Sequence, residues 1–321
     1  MKKAFFALTL GSLLFCFSSA VEAQKVHRIG VLVGEDRFLP TVNGFTKKMA
    51  ELGYTEADNI KYDFHNARSN RQAMENIAQK LVQEKPHLIV TSSATPTEYV
   101  AKATKGTDIP VVFLSAGNPL RFVKGYASSG NNLTGISASV IDLVEKRMEL
   151  LRELDPRVKR IASFNDPSGA NYQANMDAVR EAAKKLGFKI IEINVASREA
   201  LERAMPTITR KRADAILLPP DAIVEHIDLF AKQSVKEKLP LIVTPGVPLE
   251  EGGLATYGHD YFAMGEQGAV LVVKVLKGAR PMDLPIEQPS KLKLVINLNT
   301  AKAIGLKIPK EILLRADEVI E

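Results

Sequence analysis

The chain has 321 residues, of which 45% are hydrophobic and 25% charged, with one cysteine and no tryptophan. This balance excludes a disordered chain and a multi-span membrane protein, and the length suits two domains, each burying its own core. The net charge is +6, but basic residues alternate with acidic ones, as in KKMAELGYTEADNIKYD; with no basic stripe interleaved with aromatics, no nucleic-acid partner is expected.

Lys2 and Lys3 lead into the uncharged run AFFALTLGSLLFCFSSA and then VEAQ. A basic start, an apolar run and small residues at Val21 and Ala23 mark residues 1–23 as a signal peptide cut after Ala23. The run is short for a spanning helix, which takes about 20 apolar residues. Cys16 follows Phe15, where a lipoprotein site would want a small residue, so no lipid is expected and the exported chain would carry no disulfide. The expectation is a soluble periplasmic protein.

From Lys25 onward, short β-rich runs alternate with amphipathic stretches. HRIGVLV reads as a strand, followed by a helix from Val42 to Leu52 that stops at Gly53. IKYDF, a helix over Arg71 to Gln83, HLIVTSS, a helix opening in TPTEYVAKA, and IPVVFLSA continue the series. Continuous apolar strands, each followed by a helix, predict a parallel sheet covered on both faces.

The second half repeats the plan: RIASFND, a helix over Tyr172 to Leu186 stopping at Gly187, KIIEINV, a helix around Glu199 to Thr209, ADAILLPPD, a helix over Ile223 to Lys236, and LPLIVTP. Ile29 matches Ile161, Gly53 matches Gly187, Leu88 matches Ala215 and Pro110 matches Pro240, at offsets of 127 to 134 residues. Two copies of one α/β unit are expected. The tail adds a strand in GGLATYGHD, a helix over Tyr261 to Leu276, the strand KLKLVINL and a short helix in NTAKAIGL. The predicted lobes are residues 25–137 with 260–284, and 138–259 with 285–321, so the chain crosses repeatedly through a hinge.

Ligands of parallel sheets bind beyond the carboxyl ends of the strands. The loops there are GEDRFLP, TSSATPTE, LSAGNP, FNDPSGAN, LPPDAIVE and TPGVPLEE. They supply the candidate contacts Glu35, Asp36, Ser92, Ser93, Ala94, Thr95, Gly117, Asn118, Asn165, Asp166, Asn171, Asp221 and Gly246, to which Tyr257 is added. Ser92 to Thr95, ahead of Pro96, form the best grip for a carboxylate, because a helix N-terminus offers free N–H groups and partial positive charge; the same residues also suit plain helix caps. Asp166 or Asp221 suits an ammonium group, and Phe38, Tyr99, Phe122, Tyr172 and Tyr257 are candidates for an apolar wall.

Signs of catalysis are missing. The five histidines show no metal-binding spacing, and there is no nucleophile elbow, phosphate-binding loop or dinucleotide fingerprint. No enzyme activity, metal or cofactor is expected. A hydrolase using Glu35, Asp166 and Asp221 stays open as an alternative, because spacing alone does not decide it.

IGVLV with GFTKKMAELGYTEADNIKYDFHNA, IAQKLVQEKPHLIVTSSATP, DIPVVFLSAGNPLRFV, GNNLTGIS, EKRMELLRELDPRVKRI and GLATYGHDYFAMGEQGAVLVVKVLKGARPMDLPIE together resemble the substrate-binding proteins of ABC importers, in the group that includes aromatic-amino-acid binders. The resemblance implies a type I periplasmic-binding fold: two Rossmann-like lobes with parallel sheets, a three-crossover hinge, and closure over a ligand. It also implies partners, a small-molecule ligand and a permease with its ATPase at the inner membrane, around a monomer. The SSATP loop stands where the family holds a ligand carboxylate, and Asp221 matches an aspartate that helps hold an ammonium. Asn118 replaces a common aspartate, VTPG replaces the usual A-S-D, and GEDRF differs from the usual first loop. The expected function is capture of an amino acid or related small carboxylate for import. A periplasmic sensory receptor is the alternative, and an intracellular repressor is not expected because no room precedes the first strand for a helix-turn-helix.

Overall fold

The computed structural model describes residues 26–139, 141–169, 172–218 and 222–321. The expected signal peptide and the candidates Asn171 and Asp221 lie outside the described residues. In chain order the elements begin with β1 (His27–Val33), α1 (Leu39–Glu51), β2 (Ile60–Asn66), α2 (Arg71–Gln83), β3 (Leu88–Ser92), α3 (Ala94–Ala103), β4 (Val111–Ala116) and β5 (Leu133–Ser137). The chain then passes through α4 (Val144–Leu154), β6 (Arg160–Asn165), α5 (Tyr172–Leu186), β7 (Lys189–Asn194), α6 (Arg198–Ala204), β8 (Ala215–Leu217), α7 (Ile227–Glu237), β9 (Leu241–Val243) and β10 (Ala255–His259). It closes with α8 (Tyr261–Leu276), β11 (Leu292–Asn297), α9 (Leu298–Ile304), α10 (Lys310–Arg315) and β12 (Glu318–Ile320).

One sheet has the order β2-β1-β3-β4-β5 and is parallel throughout. The other has the order β12-β11-β10-β9-β8-β6-β7, with only the β10–β11 pair antiparallel. Strand side chains alternate between two apolar layers, because successive residues point to opposite faces. In β1, Ile29, Val31 and Val33 meet α1 and α8, whereas Leu32 lies in the cluster with Ala78 and Leu81 of α2. The second sheet is covered the same way on both faces.

The repeat expected from the sequence reaches the level of register. Ile29 pairs with Leu88, and Ile161 with Ala215. Ile89 N–H donates to the Pro110 carbonyl (2.9 Å), as Ile216 N–H does to that of Pro240 (2.8 Å). The helix stops match too: Tyr54 N–H bonds back to Met49 O beyond Gly53, and Phe188 N–H to Ala183 O beyond Gly187, both at 2.9 Å, closing the last turn by the usual left-handed device.

The chain crosses between the sheets three times: between β5 and α4, at Asp260, and between Glu287 and Leu292. The second crossing returns α8 to the first lobe, where it packs on α1 backbone to backbone. A Cβ at Gly265 would lie 1.8 Å from the Thr41 carbonyl oxygen, and one at Gly44 2.0 Å from that of Phe262, so this approach is open only to glycine. The third crossing starts later than the sequence boundary at 284/285. Glu287 N–H bonds Gly135 O (2.9 Å) and Ser137 N–H bonds Glu287 O (2.8 Å), so residues 285–287 stay on the edge of the first sheet and cover the open side of β5.

Other differences are local. The sequence reading assigns no element to residues 133–137 or 144–154, where β5 and α4 stand, nor to α10 and β12. The stretch predicted as one helix over Ile223 to Lys236 is a 3-10 turn, Ala222–His226, leading into α7. α3 opens at Ala94, so Pro96 sits inside its first turn, a position that tolerates proline because no intrahelical N–H is lost there.

Candidate functional site

The turn after β1 carries Glu35, Asp36 and Arg37. Arg37 Nε lies 2.6 Å from Glu35 Oε2, without the alignment of a hydrogen bond, and its guanidinium sits 4.9 Å over the Phe38 ring. Asp36 Oδ1 accepts from Asn66 Nδ2 (2.6 Å), and Asn66 Oδ1 accepts from Arg68 N–H (3.0 Å). The turn after β2 therefore leans on the turn after β1. Arg68 and Ser69 adopt φ of 46° and 63°, a region that side chains avoid and that turns at functional sites tolerate.

These first-lobe turns face a second-lobe wall built from the turn before α7 and the loop after β9. Between them lies a cavity of about 510 Å³ lined by Glu35, Asp36, Arg37, Pro40, Arg68 and Ser69 on one side, and by Val224, Glu225, Ile227, Gly246, Val247, Pro248 and Glu251 on the other. The Ser69 hydroxyl hydrogen-bonds the Glu225 carboxylate across the gap. Gly246, at φ +85°, approaches so closely that a Cβ there would lie 2.7 Å from the Arg37 carbonyl oxygen and 2.8 Å from the Tyr261 ring. The walls thus touch around the cavity.

Of the residues expected at the site, Glu35, Asp36 and Gly246 line this cavity. Ser92 and Ser93 lie behind the first-lobe turns: a Cβ on Gly34 would come within 2.8 Å of Ser93 Oγ. Ser92 Oγ bonds Thr41 Oγ1 (2.6 Å) and Ser115 Oγ (3.2 Å), while Ser93 N–H donates to Ser115 Oγ (3.2 Å). Ser93 caps α3 at φ 82°, ψ 161°, a conformation close to glycine-only territory. Its hydroxyl has no hydrogen bond to another described residue, and half-buried Ala94 and Thr95 follow it in the first turn of α3.

Gly117 is half-buried and Asn118 exposed at the end of β4, beside the 3-10 turn of Pro119–Arg121. Asn165 is fully buried at the end of β6; its amide donates to Ser163 O (3.1 Å), and its Oδ1 has no partner among the described residues. Asp166 closes its own turn, accepting from Ser168 N–H (2.8 Å) and Oγ (2.7 Å). Tyr257, also expected at the site, is not among the described residues that line this cavity. Strand alternation turns it onto the face of β10 that packs on the second lobe's core, beside Lys146, Leu150 and Leu294. Phe38 packs on Tyr261, Tyr99 and Phe122 join the core behind α3, and Tyr172 OH reaches Asn194 Oδ1 at 3.3 Å. None of these rings lines the cavity.

Arg68, Ser69, Glu225 and Glu251 were not anticipated. Glu225 and Glu251 stand within loops already singled out, LPPDAIVE and TPGVPLEE; Arg68 and Ser69 follow the edge strand, whose carboxyl end obeys the same rule.

The crossings pass beside the cavity. His259 Nε2 lies 3.3 Å from the Ser139 carbonyl, joining the first crossing to the second, and Asp260 N–H bonds Lys291 O at 3.1 Å, joining the second to the third. Burial pulls the His259 imidazole below its usual range, against the Ser139 carbonyl and with help from Arg147. Arg147 is 1% exposed, donates Nε to the Tyr257 carbonyl (2.9 Å), and is brought down by burial to about 10. Among the described residues no group of three or more metal-binding side chains converges, and no helix is long and apolar enough to cross a membrane.

Two α/β lobes, three crossings and a cavity walled by both define a two-lobed binding protein of the type I periplasmic-binding fold. The chain belongs to the ABC transporter substrate binding protein family, whose model matches residues 27–320. It is 28% identical over 291 residues to a tyrosine-binding protein of Clostridioides difficile, covering 89% of this chain and 83% of that one. Among solved structures it resembles a domain from Streptococcus pneumonia in complex with L-Trp (28% identity, 92% of this chain and 100% of that one, TM-score 0.83). It also resembles a ligand-free, open substrate-binding protein with adhesive properties from Clostridium difficile (27% identity, 92% and 99%, TM-score 0.73).

Proposed function

We propose that this protein is a periplasmic receptor that captures a small solute, an amino acid or related small carboxylate, between its lobes and delivers it to an ABC permease with its ATPase. The cavity between the lobes carries this reading, because residues 35–69 and 224–251 reach it from opposite sheets. Relatives that bind tyrosine and L-Trp support the solute class. The higher TM-score against the L-Trp complex than against the open, ligand-free relative, 0.83 against 0.73, supports a closed arrangement of the lobes, as does the Ser69–Glu225 contact. The chain acts by binding alone, as an exported monomer released from residues 1–23.

A ligand that bridges the lobes favours the closed form by its differential affinity for that form. At a hundredfold excess over its dissociation constant it stabilises the fold by about 2.7 kcal/mol. A thermal-shift screen of amino acids and small carboxylates is expected to give a saturable rise in melting temperature for at least one of them. A complete absence of hits overturns the proposal.

A further inference from the structure

The charge of the cavity says more than its position. On the second-lobe side, apolar Val224, Ile227 and Val247 stand with the carboxylates of Glu225 and Glu251, and no described lining residue there is cationic. On the first-lobe side Glu35 and Arg37 form an ion pair, leaving Asp36 and Arg68. Among the described residues, the Asp36 carboxylate is held by the neutral Asn66 amide alone and that of Glu225 by the Ser69 hydroxyl alone. The side chains of Arg68 and Glu251 have no partner among the described residues. A zwitterion would take its carboxylate on Arg68 and its ammonium on Asp36, both in the first lobe. That leaves the exposed second-lobe carboxylates, Glu225 and Glu251, facing the solute with no cation among the described lining residues beside them, and an acidic wall favours a ligand that carries a second positive charge. No aromatic side chain lines the cavity among the described residues.

We infer that the solute is a dibasic amino acid, carrying a second amine or a guanidine that meets the second-lobe carboxylates. This rests on the solute-receptor reading above and adds the charge of the ligand. The test is calorimetric titration of the full exported chain with L-lysine, L-ornithine and L-arginine, set against L-tyrosine, L-tryptophan and L-leucine, and repeated with Glu251→Gln. Binding by a dibasic amino acid is expected, weakened roughly ten- to hundredfold by E251Q and by added salt, while the exposed substitution leaves the melting temperature of the free protein unchanged. Binding of a neutral or aromatic amino acid in preference to the dibasic ones overturns the inference and leaves the receptor reading standing. So does dibasic binding that E251Q does not alter. No binding by any of the six overturns the inference; the receptor reading then falls only if the broader screen is also empty.

Discussion

Gly246 is the residue on which contact between the walls depends most directly. With φ +85° and a would-be Cβ 2.7 Å from the Arg37 carbonyl, an alanine would strain its own turn and hold the lobes apart. Gly246→Ala is expected to weaken ligand binding by roughly tenfold or more, the equivalent of about 1.4 kcal/mol, and titration of the variant checks this. Ser93 offers the opposite case. Its φ of 82° with ψ of 161° costs about 1–3 kcal/mol, so Ser93→Gly is expected to raise stability in urea denaturation. If its unengaged hydroxyl holds ligand, the same change weakens binding. At this scale the sequence revealed cavity residues only in part. Glu35, Asp36 and Gly246 were legible because short loops at strand ends have few places to go. Arg68 and Ser69 were not, because their left-handed backbone is set by the Asn66–Asp36 contact between two turns and not by local residue preference.

At the scale of elements, α2, α5 and α8 agree with the sequence at both ends, because caps and stops are local chemistry. Asn70 and Asp260 accept from the N–H groups of Ala73 (2.9 Å) and Ala263 (3.1 Å) to open two of them. β5 was not read because LTGIS is short and holds Gly135 against Phe113, a tertiary contact. The α1–α8 crossing is likewise tertiary. Gly265→Ala is expected to destabilise the protein by about 1–3 kcal/mol, the range for overpacking, measured as a lower urea midpoint.

The hinge should also respond to pH. The His259 imidazole, faced by Arg147 and Asp142, titrates lower folded than unfolded, where its value is about 6.5. The unfolded chain therefore binds more protons as pH falls below that value, and the stability this histidine contributes is present above it and lost in the window down to its folded value. Wild-type protein is expected to lose more stability between pH 7.5 and 5.5 than His259→Gln does, as read by denaturant titration at the two pH values. Equal losses would show that the half-buried imidazole does not govern this window.

For the whole molecule, the repeated rhythm of the two halves was the strongest sequence signal, and it holds down to equivalent hydrogen bonds at Pro110 and Pro240. Offsets of 127 to 134 residues encode two similar bodies, but not where the chain leaves one for the other. The edge pairing of residues 285–287 with β5 decides that, and it is a long-range contact. Family membership and the cavity between the lobes meet in one mechanical claim, that the bodies close over a solute. Small-angle X-ray scattering on the protein, stripped of ligand and then saturated with a solute shown by titration to bind, tests it most directly. The account predicts a smaller radius of gyration with the solute bound; profiles that superimpose would contradict it.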